Sequence, residues 1–173
     1  KGLSVWRGKE TVADIAGNEN VVNFLIKVCQ VRKAPKAIVL IDEIEKALAG
    51  SQSDSSGVSQ DFLMTLLTQM QDKEIPGMIY VGVSGGGKTF VPKCVAGEMK
   101  IPLIQLDLGA MKGSLVGQSE ANVRAAFKVL DAISSGEMLI IATCNSFGNL
   151  PPELKRRFTL GTFYFDLLTD EER

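Results

Sequence analysis

Residues 82–89 read GVSGGGKT; the octet overlaps the end of an apolar run, MIYVGV at 78–83, and opens a segment of helical character. It fits the spacing G-x-x-x-x-G-K-[ST], and a strand before it with a helix after it is the context that the pattern needs. Glycines allow consecutive backbone N–H groups to curl around a phosphate, and the N-terminus of the following helix adds partial positive charge. On this reading Gly82, Ser84, Gly85, Gly86, Gly87 and Phe90 surround a nucleotide's phosphates. Lys88 neutralises β- and γ-phosphate oxygens, and the Thr89 hydroxyl ligates Mg²⁺. Pro92 is tolerable because N–H groups in a first helical turn have no partners in any case. A glycine-rich turn with an incidental lysine is the plainer alternative, and the flanking strand and helix count against it.

A second stretch, IVLIDEIEKALAG at 38–50, comes earlier in the chain. Its apolar residues at 38–41 bring Asp42 and Glu43 to the carboxyl end of a strand, which is where ligands bind in open α/β sheets. Asp42 suits the hydration shell of Mg²⁺, and Glu43 suits polarising a water for attack on a γ-phosphate. Two acids at a strand end also arise as a solvated terminus or a helix N-cap. Beside a phosphate loop, the reading as a site for ATP or ADP with Mg²⁺ is the stronger one.

The rest of the chain fits around these two stretches. Short apolar runs, AIVLID (37–42), MIYVGV, IPLIQLD (101–107), MLIIATC (138–144) and TFYFDL (162–167), alternate with helical segments. Most of these runs lack a polar alternation, as strands buried on both faces should. The pattern predicts a three-layer α/β/α domain on a five-stranded parallel sheet, a P-loop NTPase fold. Phe62, Leu63, Leu66, Leu67 and Met70 form one helical stripe; Val123, Phe127, Leu130 and Ile133 form another. A first helix is expected over about 18–29, and GSQSDSSGVS at 50–59 reads as a flexible polar loop.

Composition removes whole classes of function. The 173 residues are 45% hydrophobic with no run of eighteen apolar residues, so one domain over 1–173 with no membrane span is expected. A net charge of −1 carries no strong nucleic-acid signal. Histidine is absent, which excludes His-based acid–base chemistry and most zinc sites. Cys29, Cys94 and Cys144 lie far apart in apolar stretches, the pattern of reduced buried thiols in a cytoplasmic protein.

At this point the chain resembles a known family. GVSGGGKT, IVLIDEIEKAL, MLIIATCNS and LPPELKRRF look like the Walker A, Walker B, sensor 1 and arginine-finger segments of AAA+ ATPases. The resemblance is particularly to plastid and cyanobacterial members, and it extends through IPLIQLDLGAMKGSLVGQSEANVRAAF to nearly the whole chain. It implies that Asn145 is sensor 1 and positions the lytic water, although an Asn also caps strand-to-helix turns. It implies that Arg156 or Arg157 reaches a neighbouring subunit's γ-phosphate; a solvated basic patch is the alternative. From TVADIAGNENVV it implies nucleotide contacts at Asp14, Ile15 and Ala16. Leu115 stands where many members carry an aromatic pore-loop residue, which weakens an unfoldase reading; Met111 and Leu115 could simply pack under a loop.

Two departures shape the expected function. The family's helical lid is missing after LLTDEER, so a largely monomeric protein is expected where the parent family forms hexameric rings. Walker B also precedes Walker A, as if the block at 36–74 had been lifted from between VLDAI and MLIIA and placed ahead of the phosphate loop. This reads as an engineered rewiring that keeps the family's spatial strand order. Three functions follow from the residues: an ATP-binding ATPase core with weak or residual Mg-dependent hydrolysis, a rewired folding scaffold that binds nucleotide without useful turnover, and a small P-loop kinase. The acidic pair and the Asn suit water better than an acceptor hydroxyl, which disfavours the kinase.

Overall fold

In the computed structural model, which describes residues 2–48, 58–108 and 118–167, the first element is a short strand, β1 (Leu3–Val5). Helix α1 (Glu19–Gln30), strand β2 (Ala37–Ile41), and helices α2 (Ile44–Leu48) and α3 (Val58–Asp72) follow. Then come β3 (Gly77–Gly82), α4 (Phe90–Met99), β4 (Leu103–Leu106), α5 (Gln118–Ser134), β5 (Met138–Cys144), α6 (Pro152–Arg157) and β6 (Thr162–Phe165). Most of the polar loop at 50–59 lies outside the described residues, as do Met111, Leu115 and the C-terminal residues 168–173. The side chains of Phe62 and Leu63 lie outside them too.

β2 shows how the core is assembled. All of its residues are buried. Because a strand's side chains alternate, Ala37, Val39 and Ile41 face one layer while Ile38 and Leu40 face the other. On the first side they pack with Leu66, Leu67 and Met70 of α3 and with Val123, Phe127 and Leu130 of α5. On the second they pack with Val21, Val22 and Leu25 of α1 and with Val91 and Val95 of α4. The expected three layers are present, each face of the sheet sealed by two helices.

The sheet runs β1-β4-β2-β5-β3-β6. The five expected strands occur in the expected spatial order, all pairing in parallel. The expectation of a five-stranded parallel sheet is corrected at one edge, where β1 adds a sixth strand, antiparallel to β4, and makes the sheet mixed. β1 has only three residues, two of them exposed, too short for any periodicity to announce it. It is visible only through pairing: Leu3 lies opposite Leu106, and the Trp6 N–H donates to the Leu103 carbonyl at 3.0 Å.

The chain passes from β2 to β3 over β5, and from β4 to β5 over β2. Short linkers suffice for both, since α3 ends at Asp72 before β3 opens at Gly77, and α5 ends at Ser134 before β5 opens at Met138. One stripe residue is corrected. Ile133 is exposed, and the buried position falls to Ser134, whose hydroxyl donates to the Leu130 carbonyl at 2.8 Å. Eleven residues after Val123 complete three helical turns to within about 20°, whereas ten fall about 80° short.

Candidate nucleotide site

The C-terminal ends of β2, β3 and β5 meet around an open cavity of about 300 Å³ lined by Asp42, Glu43, Ser84, Gly85, Gly87, Lys88, Thr89, Phe90 and Asn145. Between β3 and α4 the loop turns through Gly85 and Gly87, each at φ +87°. A side chain would meet little at either place, so glycine serves the backbone conformation and not a lack of room. At Gly82 the reason is close approach, because an added Cβ would lie 2.0 Å from the Phe165 carbonyl oxygen on β6.

Lys88 is 6% exposed, and its ammonium donates to the carbonyls of Gly82 and Val83, both at 2.6 Å, and to Asn145 Oδ1 at 3.1 Å. An ammonium has three donors, so these acceptors match its capacity. Phosphate oxygens are better acceptors than neutral carbonyls, and a triphosphate in the cavity could take the same donors.

Opposite the lysine, the Thr89 hydroxyl donates to Asp42 Oδ1 at 2.9 Å, which brings the phosphate loop against the end of β2. A carboxylate and a hydroxyl side by side are hard oxygen donors of the kind Mg²⁺ takes, with phosphate and water completing an octahedral set. The residues therefore fit this cation, with Asp42 and Thr89 as the groups that would hold it. Thr143, on the neighbouring strand, donates its hydroxyl to the same Asp42 Oδ1.

Glu43 begins the turn into α2 at φ +50°, a left-handed conformation that costs a non-glycine residue about 1 kcal/mol. Its N–H donates to Thr143 Oγ1 at 2.9 Å. Its side chain receives Lys46 Nζ at 2.7 Å on Oε2 and Asn145 Nδ2 at 3.4 Å on Oε1. The hydrogen bond to Glu43 holds Lys46 above its ordinary pKa. The Asn145 N–H in turn donates to Glu45 Oε1 at 2.8 Å. Thus Asn145 touches both Lys88 and Glu43.

A family model, the ATPase family associated with various cellular activities (AAA), matches residues 7–84 and 78–135. The chain belongs to the AAA ATPase family. The AAA domain is 26% identical to an uncharacterized AAA domain-containing protein, ycf46, of Guillardia theta, over 54% of this chain and 26% of that one. It is 35% identical to an ATP-dependent zinc metalloprotease, FtsH, of Lancefieldella parvula (strain ATCC 33793 / DSM 20469 / CCUG 32760 / JCM 10300 / KCTC 3663 / VPI 0546 / 1246), over 48% of this chain and 14% of that one. Among solved structures, the FIGL-1 AAA domain in complex with ADP shares the fold at a TM-score of 0.56 and 18% identity, covering 98% of this chain and 60% of that one. The AAA domain thus spans about a quarter or less of the length of the two named relatives.

Asp14, Ile15, Ala16, Arg156 and Arg157 are not among the residues that line the cavity of the AAA domain. Asp14 ends a 3₁₀ turn (Val12–Asp14), with Ile15 and Ala16 just after it, and the Asp14 carboxylate accepts the Thr11 N–H at 2.7 Å and so caps its own turn. The segment first reaches the phosphate loop at Asn18, whose Nδ2 lies 3.9 Å from where a Cβ on Gly87 would be. Arg156 and Arg157 sit on α6, the first exposed and the second half-buried, while Lys155 stacks its ammonium 4.3 Å over the Phe147 ring. Among the described residues, no helix is long and apolar enough to cross a membrane. Motif reading missed Lys46 and Thr143; the latter carried a faint signal as the one hydroxyl in the apolar run MLIIATC.

Proposed function

We propose that this AAA domain is a Mg²⁺-dependent ATP-binding core with weak or residual hydrolysis. The observation that carries the reading is the convergence of Lys88, Thr89, Asp42, Glu43 and Asn145 on one cavity although Walker B precedes Walker A in the chain. Loop N–H groups from 85–88 and the Lys88 ammonium would grip the β- and γ-phosphates. Mg²⁺, when bound, supplies charge neutralisation across those phosphates. Glu43 would take a proton from a water whose oxygen adds to the γ-phosphorus as the β–γ bridging P–O bond breaks, leaving ADP and phosphate. Asn145 would hold that water, and Asp14, Ile15 and Ala16 would line the path to the base. Arg156 or Arg157 would serve a neighbouring copy, so turnover per chain should rise with protein concentration.

Thermal melting with and without Mg²⁺-ATP or ADP tests the reading. At a hundredfold excess over Kd, nucleotide should stabilise the wild type by about 2.7 kcal/mol, and Lys88→Ala should lose most of that gain. No shift in the wild type, or an equal shift in the variant, overturns it. A second reading, a rewired scaffold that binds without useful turnover, is favoured by the inverted segment order and by a family match split into two stretches that meet in β3. Phosphate release across a range of protein concentrations decides between them.

A further inference from the structure

We infer that Thr143 is a positioning residue for Mg²⁺ and for the water-activating turn, an inference that rests on the nucleotide reading of the site. Thr143 is fully buried, in the last turn of pleat of β5 before the site. β5 pairs with β2 so that Ile41 lies opposite Ala142, and the residues that follow them, Asp42 and Thr143, meet through their side chains. A hydroxyl has a single hydrogen to donate, and here it goes to Asp42 Oδ1, while the oxygen accepts the Glu43 N–H at 2.9 Å. One buried group therefore fixes two consecutive site residues at once. It turns the Asp42 carboxylate toward Thr89, which donates to the same oxygen at 2.9 Å, and it holds the left-handed turn that starts Glu43 on its way into the cavity.

A valine at 143 has the same shape and would keep the strand packed while removing both hydrogen bonds. Asp42 would then be free to rotate away from the Mg²⁺ position, and the Glu43 N–H would lose its acceptor. Lys88 and the loop N–H groups would be untouched, so phosphate gripping without metal should survive. Partners that orient metal-holding groups typically govern 10- to 100-fold in metal affinity.

The test compares wild type, Thr143→Val and Thr143→Ser by calorimetric titration of ADP in Mg²⁺ and in EDTA, together with amide hydrogen exchange at Glu43. Affinity in EDTA should agree among the three within about twofold, whereas the gain on adding Mg²⁺ should fall at least about tenfold in the Val variant and be restored in the Ser variant. Exchange at the Glu43 amide should quicken in Val alone. A full Mg²⁺ gain in Val, or a cooperatively folded Ser variant that fails to restore it, overturns the inference and leaves the nucleotide site standing. Absence of any Mg²⁺ gain in the wild type overturns the site reading, and the inference with it. If Thr143→Val does not melt cooperatively, Thr143→Ala is read against the same outcomes.

Discussion

At the scale of single residues, charge at the cavity is held by hydrogen-bonding neighbours. Glu43 shows this, since it lines the cavity with its carboxylate shared between Lys46 at 2.7 Å and Asn145 at 3.4 Å. Glu43→Gln keeps the shape and one of the two accepting oxygens but loses the proposed base. It should leave nucleotide affinity within about twofold while lowering phosphate release by about 10²- to 10⁴-fold, or to background; equal turnover in both proteins would remove Glu43 from its role. The thiols are the opposite case, groups kept from charging. Burial pushes Cys29, Cys94 and Cys144 each up to about 11. The folded protein then holds protons that the unfolded chain has released, so the thiols leave stability untouched below about pH 8.5 and erode it as pH climbs toward 11. Buried Tyr80, also raised, acts in the same direction. Urea midpoints should be flat from pH 7 to 8.5 and fall steadily between about pH 9 and 10.5, with a shallower fall in a variant carrying Ala at the three cysteines; parallel slopes would show that the thiols do not carry the effect.

At the scale of elements, β3 must serve two neighbours at once. Gly82 sits where β3 gives way to the phosphate loop and where β6 crosses closest, with the Phe165 carbonyl in the space a Cβ would need. Backbone cannot yield as a flexible side chain can. Gly82→Ala should therefore destabilise by about 1–3 kcal/mol and loosen β6, read as a lower urea midpoint and faster amide exchange at 162–165; an unchanged midpoint would mean that β6 is not seated as described. The elements also show what a sequence discloses about itself. β5 (Met138–Cys144) was legible to the residue because a run apolar at every position but Thr143 can satisfy itself only between two helical layers. β1 was not, since three residues with two exposed carry no period and acquire meaning only when Ile104, Gln105 and Leu106 supply an edge. Ile133 was misplaced because stepping by threes and fours loses phase after three turns. For the site the division is similar: Lys88, Thr89, Asp42 and Glu43 announce themselves by spacing, while the contacts of Thr143 and Lys46 depend on register and on a local turn that no motif encodes.

At the scale of the whole molecule, the order of strands along the chain differs from their order in the sheet. β2 and β5 are neighbours in the sheet but are separated by α2, α3, β3, α4, β4 and α5 along the chain. What the cavity requires is only that Asp42 and Glu43 reach the same edge as Lys88 and Asn145, and parallel pairing secures that whichever connection is used. The ends of the 36–74 block lie close to the α5–β5 connection. The Lys36 N–H donates to the Glu137 carbonyl at 2.7 Å, their side chains pair at 2.8 Å, and Lys73 pairs with Asp131. Exposed ion pairs of this kind contribute about 0–1 kcal/mol, so they report proximity more than stability. On the other side, the Ile140 N–H donates to the Pro76 carbonyl at 3.0 Å, which sets the end of the block beside the start of β5. A chain rejoined as 1–35, 75–135, 36–74 and 136–173 would need one link across β5, about 10 Å, which roughly three extended residues span, and two shorter links. That reordered chain should melt in a single transition and keep the nucleotide-induced shift of the original, because every core contact and every site residue keeps its place. A broad, non-cooperative melt, or a cooperative one without the nucleotide response, would show that the order of the segments, and not the pairing of the strands alone, builds this site.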